Sequence, residues 1–348
     1  MNKLKTIISG IALIILFSCS TNKLPKEGIW RGALQLGNSE NPVELPFNFE
    51  LNGINPETLS ITIINADEKI IINSVEVSGD SLFFFIPVFD SEFRLKFNHN
   101  KLEGKWINYA NGIGNYTEFA AVHGIKERFI SKTDAQFDIS GRWEVLFGPE
   151  RANPSKAIGE FIQNGNLITG TFMTETGDYR FLEGIVNGKK MMLSCFDGAH
   201  SFVFTADIPE NDLMEGKFIS GKRGGSAWRG IKNKNAKIGD PYKLTYLKDG
   251  YDKIDFTFPN EKGIMISLED EAYKNKPVII QIMGTWCPNC MDETVFLSEL
   301  YNKYNNRGLE IIGLAYEKAK DPDKIWNNIN RLKRIFRCKI SIPDGRNI

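Results

Sequence analysis

The fold of the C-terminal part of the chain is decided by residues 277–290, which read PVIIQIMGTWCPNC. Residues 277–284 form a continuous apolar run, as expected of a strand buried on both faces of a parallel sheet. Apolar residues then recur at helical spacing from Met291 to Tyr304, and residues 309–316 form a second run of the buried type. The pattern predicts a strand, a crossover helix and a parallel strand, with a Cys-x-x-Cys motif at the strand-to-helix turn.

A further helix is predicted to begin at Asp321, with Pro322 in its first turn. Its apolar face would be formed by Ile325, Ile329, Leu332 and Phe336.

The spacing of the motif is the one that thiol–disulfide exchange requires. At a helix N-terminus, unpaired N–H groups and the helix dipole stabilise a thiolate, and a sulfur one turn later can reach it. Cys287 is therefore predicted to be the attacking sulfur, and Cys290 the resolving one. Pro288 suits the first helical position because it has no N–H to lose. Trp286 is predicted to cover the sulfurs on one side, and Asn289 completes the set of supporting residues.

Residues 238–336 resemble the membrane-tethered bacterial thioredoxin-like proteins of the TlpA/ResA type. The resemblance is carried by Ser267-Leu268, by residues 276–293 and by residues 311–314. It implies an extracytoplasmic thiol–disulfide oxidoreductase, often a reductase of protein disulfides, including those of cytochrome c maturation. The implied partners are protein thiol or disulfide substrates and an upstream electron donor. No metal and no cofactor beyond the redox-active disulfide Cys287–Cys290 is expected.

Two features depart from the family pattern. Gln281 stands six residues before Cys287, where thioredoxin has a buried acid that helps to deprotonate the resolving thiol, so another group or water is needed. The family also continues past the second helix with a strand preceded by a cis-proline, another strand and a last helix. Residues 236–348 are therefore expected to be a thioredoxin-like domain without its C-terminal strands and helix, with an exposed edge on the strand before the motif. A truncated or frameshifted sequence is the corresponding alternative.

Other uses of two cysteines fit the residues less well. A zinc ribbon needs a second ligand pair, but only Cys338 follows the motif, and no histidine follows His200. The missing histidine also disfavours the copper-binding relatives of thioredoxin. A peroxiredoxin would show Pro-x-x-x-Thr-x-x-Cys, whereas Thr285 lies only two residues before Cys287. A chance Cys-x-x-Cys remains an alternative.

The region from Gly28 to Lys232 has a different pattern, in which short β-branched and aromatic runs alternate with turn pairs such as Asn-Gly. No amphipathic helix of useful length occurs, so an all-β, antiparallel, sandwich-like or barrel-like region is predicted. Residues 28–32 (GIWRG) correspond to residues 141–144 (GRWE), and residues 102–106 (LEGKW) to 214–218 (MEGKF). The nearly equal offsets predict a duplication, with units at residues 28–125 and 136–232.

The β region contains no arrangement that indicates catalysis. His99, His123 and His200 are scattered singly, and Cys195 is predicted to be a small buried apolar residue. A binding function is therefore the competing hypothesis. In it, the β region of a lipoprotein binds a ligand or a protein, and the thioredoxin-like part is an inactive remnant.

The N-terminus has the pattern of a targeting segment. Lys3 and Lys5 precede an apolar run at residues 7–17, too short to span about 30 Å of hydrocarbon but typical of a signal peptide. The run ends in LFSC at residues 16–19, which resembles the bacterial lipobox. Residues 1–18 are thus predicted to be a lipoprotein signal peptide, Cys19 a lipidated membrane anchor and residues 19–27 a tether. The predicted location is the periplasmic side of the cell envelope, with the outer membrane favoured. An ordinary signal peptide that contains a cysteine is the alternative.

Composition limits the remaining classes. The 348 residues include 43 basic and 43 acidic side chains, so the chain lacks the positive field of a nucleic-acid-binding protein. The five cysteines divide into one lipidation site, one redox pair and two single residues, Cys195 and Cys338.

Overall fold

The computed structural model describes residues 24–37, 41–86, 89, 91–109, 115–335 and 342. The predictions for the signal peptide, for lipidation of Cys19, and for Phe336 and Cys338 concern residues outside these ranges, and they stay predictions. The described chain forms two all-β units followed by an α/β part.

The first β unit is an antiparallel meander whose sheet order is β4-β3-β2-β1-β9-β8-β7-β6-β5. The first strand therefore lies beside the last, and Trp30 is paired with His123. The strands are β1 (Gly28–Gly37), β2 (Pro42–Asn52), β3 (Ser60–Asn65), β4 (Glu68–Ile72), β5 (Val75–Ser78), β6 (Ser81–Ile86), β7 (Ser91–Asn98), β8 (Lys101–Asn108) and β9 (Tyr116–His123).

The second β unit repeats this layout and closes on itself. Its sheet order is β11-β10-β18-β17-β16-β15-β14-β12-β13, and an additional pairing of β11 with β12 completes the ring. The strands are β10 (Gly141–Phe147), β11 (Ser155–Asn164), β12 (Leu167–Thr174), β13 (Gly177–Asp178), β14 (Leu182–Asn187), β15 (Lys190–Phe196), β16 (Ser201–Glu210), β17 (Leu213–Ser220) and β18 (Arg223–Lys232). The predicted all-β, barrel-like architecture is confirmed.

Alternation along the strands explains why these sequences form sheets. In β7, Phe93 and Leu95 are buried while Arg94 and Lys96 are exposed, the period of two that one buried sheet face requires. Burial of each such side chain contributes about 1.5–3 kcal/mol.

The two units begin with the same local arrangement. Trp30 and Trp143 are both fully buried, and each indole N–H donates to the carbonyl four residues earlier, over 2.9 Å in both cases. Gly28 and Gly141, two residues before each tryptophan, have φ angles of 107° and 102°, which favour glycine. This shared geometry supports the internal repeat.

The second unit inserts side chains into the first. The ring of Phe196, at the end of β15, stacks on Phe47 with centroids 4.6 Å apart and belongs to the core of the first unit. The Asn65 side chain donates to the Phe196 carbonyl over 2.8 Å, and the Ser194 hydroxyl donates to the Pro46 carbonyl. Apolar and polar contacts thus hold the two units together.

The C-terminal part has the predicted thioredoxin-like order. A hairpin of β19 (Thr257–Pro259) and β20 (Met265–Ser267) precedes β21 (Val278–Met283), α1 (Pro288–Tyr304), β22 (Glu310–Ala315) and α2 (Pro322–Ile335). β21 and β22 are parallel. Short 3-10 turns lie at Pro241–Lys243 and Asn305–Arg307. Ile325 donates its N–H to Asp321, so α2 begins where the proline signal predicts.

One detail of β21 differs from expectation. Ile279 and Met283 pack on the helical side, and Val278 and Ile280 pack on the other side with hairpin residues such as Phe258. Ile282, however, is 68% exposed, so the prediction that the strand is buried on both faces is wrong at this residue. The apolar cluster on this face includes Val278 and Ile280 but not Ile282.

Within the ranges described above, the helices are too short or too polar to serve as membrane spans.

Candidate active site

The motif lies at the junction of β21 and α1. Cys287 is the N-cap of α1, with φ −103° and ψ 108°, and Pro288 occupies the first helical position. Cys287 and Cys290 form a disulfide with their Cα atoms 5.2 Å apart. The Cys290 N–H also donates to the Cys287 sulfur over 3.3 Å. The Cys287 sulfur therefore lies where the free N–H groups of the first helical turn stabilise negative charge.

Access to the disulfide is partial. Both cysteines are half-buried and Pro288 is buried. The Trp286 indole donates to the Tyr316 carbonyl over 2.9 Å, and the Lys318 ammonium lies 3.8 Å from the centre of its ring. Trp286 is thus held by residues that follow β22, and its cover of the sulfurs stays a prediction.

A buried carboxylate fixes the turn before the disulfide. Glu317 is 5% exposed, and its two oxygens accept from the Thr285 N–H over 2.6 Å and from the Thr285 hydroxyl over 2.7 Å. Glu317 therefore ties the turn that carries Cys287 to the end of β22, a role that sequence reasoning missed.

Gln281 has a defined place in the site although it is not an acid. Its side chain is buried and donates to the Cys290 carbonyl and to the Glu293 carboxylate, each over 3.0 Å. Thr294 donates to the Gln281 side-chain oxygen over 3.2 Å. Gln281 therefore joins the Glu293 carboxylate, whose place sequence reasoning missed, to the backbone carbonyl of Cys290.

The second β unit contacts the motif at two points. A Cβ added to Gly177, in β13, would lie 1.9 Å from the Asn289 side-chain nitrogen, so Asn289 packs directly on this strand. Beside it, the Arg180 guanidinium pairs with Asp292, two residues after Cys290.

Arg180 also joins the two β units. Its buried guanidinium pairs with Glu68 of the first unit and lies 3.4 Å from Asp197 of its own unit. Asp197 in turn accepts from the His200 ring over 2.9 Å. One cation therefore links α1, the first β unit and the second.

The two buried carboxylates beside Arg180 differ in their pKa. Burial raises the pKa of Glu68 above its ordinary 4.5, although Arg180 opposes the shift. Burial also acts to raise the pKa of Asp197, but His200 and Arg180 outweigh it and hold that pKa below the ordinary 3.8. The difference fixes the order in which the cluster titrates.

We expect Glu68 to protonate before Asp197 as the pH falls, with a midpoint above 4.5 against one below 3.8. The two carboxyl groups therefore contribute to the pH dependence of folding stability with opposite signs. Stability supplied by Asp197 is present above its unfolded pKa and is lost as the pH falls through its folded pKa, whereas protonation of Glu68 relieves a burial penalty. Carboxyl ¹³C NMR titration measures both midpoints, and coincident midpoints would contradict the assignment.

Within the described ranges, no group of three or more His, Cys, Asp and Glu side chains is arranged to hold a metal ion.

A parallel strand pair, a helix whose N-cap is a cysteine, and a disulfide across its first turn together define a thioredoxin-like domain. In agreement, residues 250–335 match the AhpC/TSA family. The C-terminal part of this chain therefore contains a thioredoxin-like domain, and the resemblance inferred from the motif is confirmed.

Curated relatives carry corresponding names. The "Thiol-disulfide oxidoreductase ResA" of Bacillus cereus is 32% identical over 101 residues, which cover 29% of this chain and 52% of that protein. The ResA protein of Bacillus anthracis is 38% identical over 102 residues, covering 29% and 56%. The "Thiol:disulfide interchange protein DsbE" of Vibrio cholerae is 31% identical over 97 residues, covering 27% and 50%. The chain thus spans about half the length of the curated relatives it matches.

Similarity to solved structures is weak. A protein of unknown function from Nostoc punctiforme covers 60% of this chain and is itself covered to 96%, but at 10% identity and a TM-score of 0.21.

Proposed function

We propose that the protein is a membrane-anchored, extracytoplasmic thiol–disulfide oxidoreductase that reduces protein disulfides and uses no cofactor beyond its own dithiol. The observation that carries the proposal is the disulfide between Cys287, the N-cap of α1, and Cys290, one turn later. The names of the ResA and DsbE relatives support the same reaction class.

The reaction proceeds in two exchanges. In the reduced protein, the Cys287 thiolate attacks one sulfur of a substrate disulfide and releases the other substrate sulfur as a thiolate. The deprotonated Cys290 sulfur then attacks Cys287, closes the intramolecular disulfide and releases the second substrate thiolate. The substrate gains two electrons and two protons, and an external dithiol donor returns the protein to its reduced form. The proton that Cys290 loses is taken up by the substrate thiolate released in the first exchange, directly or through water, so the proton balance closes without a further base.

Anchoring and location rest on the N-terminal pattern. Lipidation of Cys19 would tether the domains to a membrane on the periplasmic side, the outer membrane being favoured. This places the dithiol in the compartment where disulfides form and persist.

Trapping tests the proposed reaction. A Cys290→Ala variant is expected to accumulate mixed disulfides with substrate proteins, because the first exchange occurs and the second cannot. Non-reducing gels followed by mass spectrometry measure the adducts. The matched Cys287→Ala variant lacks the attacking sulfur and should form none. An absence of adducts with Cys290→Ala, together with no reduction of insulin by the wild-type protein, would favour a binding function of the β region instead.

A further inference from the structure

A cleft lies where the two β units meet the thioredoxin-like part. Its volume is about 640 Å³, within the range of ligand-binding pockets. The first unit contributes Trp106 and Tyr109, and the second contributes Ser201 and Lys222. The cleft is thus built by all three parts of the chain.

The cleft reaches the active-site turn. Trp286 and Pro288, the residues on either side of Cys287, both line it, as does Thr285. Cys287, which stands between Trp286 and Pro288 in the chain, is half-buried, so the cleft lies beside the attacking sulfur.

Cationic side chains line the cleft. Four such side chains come from the second β unit and from the segment that follows β22: Lys222, Lys318, Lys324 and Arg331. Among the lining residues that the structure describes, the carboxylate is Glu317, and both of its oxygens accept from Thr285. Of these cations, Lys222 and Lys318 are the two candidates for anion binding.

Two of the lysines are placed to meet an incoming anion. Lys222 and Lys318 are exposed, and within the described part of the chain neither has a carboxylate at ion-pair distance. Their ammonium groups lie 5.2 Å and 3.8 Å from the ring centres of Tyr116 and Trp286. A carboxylate can join each without displacing an existing ion pair.

The uncharged part of the lining suits a polypeptide. Side-chain amides and hydroxyls are supplied by Asn115, Ser201, Ser220 and Asn328, and such groups pair with peptide N–H and C=O groups. We infer that this cleft binds a polypeptide segment with acidic side chains around its cysteine, and so selects the disulfides that Cys287 attacks. The inference rests on the proposed function for its role in catalysis, but the binding itself does not.

Binding can be measured without chemistry. The full-length protein is titrated into two labelled peptides, and the fluorescence anisotropy of each peptide is measured. Serine replaces cysteine in both peptides. One has flanking Asp and Glu residues, and the other has Asn and Gln in their place. We expect the acidic peptide to bind about tenfold more tightly at low salt, because several modest charge pairs act together. The preference should fall as salt screens the charges.

A matched pair of variants locates the effect. Lys222→Gln combined with Lys318→Gln should remove most of the preference, whereas Lys156→Gln combined with Lys217→Gln, two exposed lysines of the second β unit outside the cleft, should not. Equal binding of the two peptides, or equal effects of the two variants, would overturn the inference. Disulfide-containing forms of the peptides then test the reaction separately. Binding with the acidic preference but without reduction would contradict the proposed function and would leave the assignment of the cleft unchanged.

Discussion

Cys287→Ser is expected to abolish the reduction of protein disulfides, with a loss of at least about 1,000-fold in kcat/KM. The hydroxyl of serine is a far weaker nucleophile than a thiolate, and no covalent path remains once the attacking sulfur is gone. Cys290 lies further inside α1 and does not replace it, because the N-cap position belongs to Cys287. Insulin turbidity and the reduction of a fluorescent peptide disulfide measure the effect.

Cys195→Ala is the matched control. Cys195 is fully buried in the second β unit, and burial raises the pKa of its thiol well above the ordinary value. A buried, protonated thiol does not attack disulfides. The control should retain wild-type kcat/KM, and substantial activity in Cys287→Ser would show that the redox assignment is wrong.

The features that sequence could predict are the local ones. Cys287, Pro288 and Cys290 lie within one helical turn, and the apolar runs around them set the strand–helix–strand order. In the β region, alternation predicts strands but does not decide between a sandwich and a barrel. That choice depends on the pairing of β10 with β18, between residues far apart in the chain.

The polar links of the site could not be predicted for the same reason. Glu317 and Thr285 are 32 residues apart, and Arg180 is 112 residues from both Glu68 and Asp292. Charged residues are mostly exposed, so nothing local marks these as buried partners. Glu293 lies inside the family-like stretch, yet its link to Cys290 depends on Gln281 in the preceding strand.

Arg180→Met is expected to lower the free energy of unfolding by about 3–5 kcal/mol, the usual cost of removing one partner from a buried ion pair. Glu68 and the fully buried Asp197 would lose their shared cation. Methionine is also unbranched at Cβ, so it adds no new backbone penalty at φ 64°. Urea denaturation followed by tryptophan fluorescence measures the change, since Trp30 and Trp143 report on the two β units.

Arg142→Met separates this effect from the loss of any arginine. Arg142 pairs with Glu160 in the same β unit, but both side chains are partly exposed, so a loss of at most about 1 kcal/mol is expected. Equal losses in the two variants would mean that the Arg180 cluster is not a stabilising junction. A selective loss at Arg180 would support a stabilising junction between the two β units, formed by its pairing with Glu68 and its contact with Asp197. The pairing of the same guanidinium with Asp292, two residues after Cys290, extends that junction to α1.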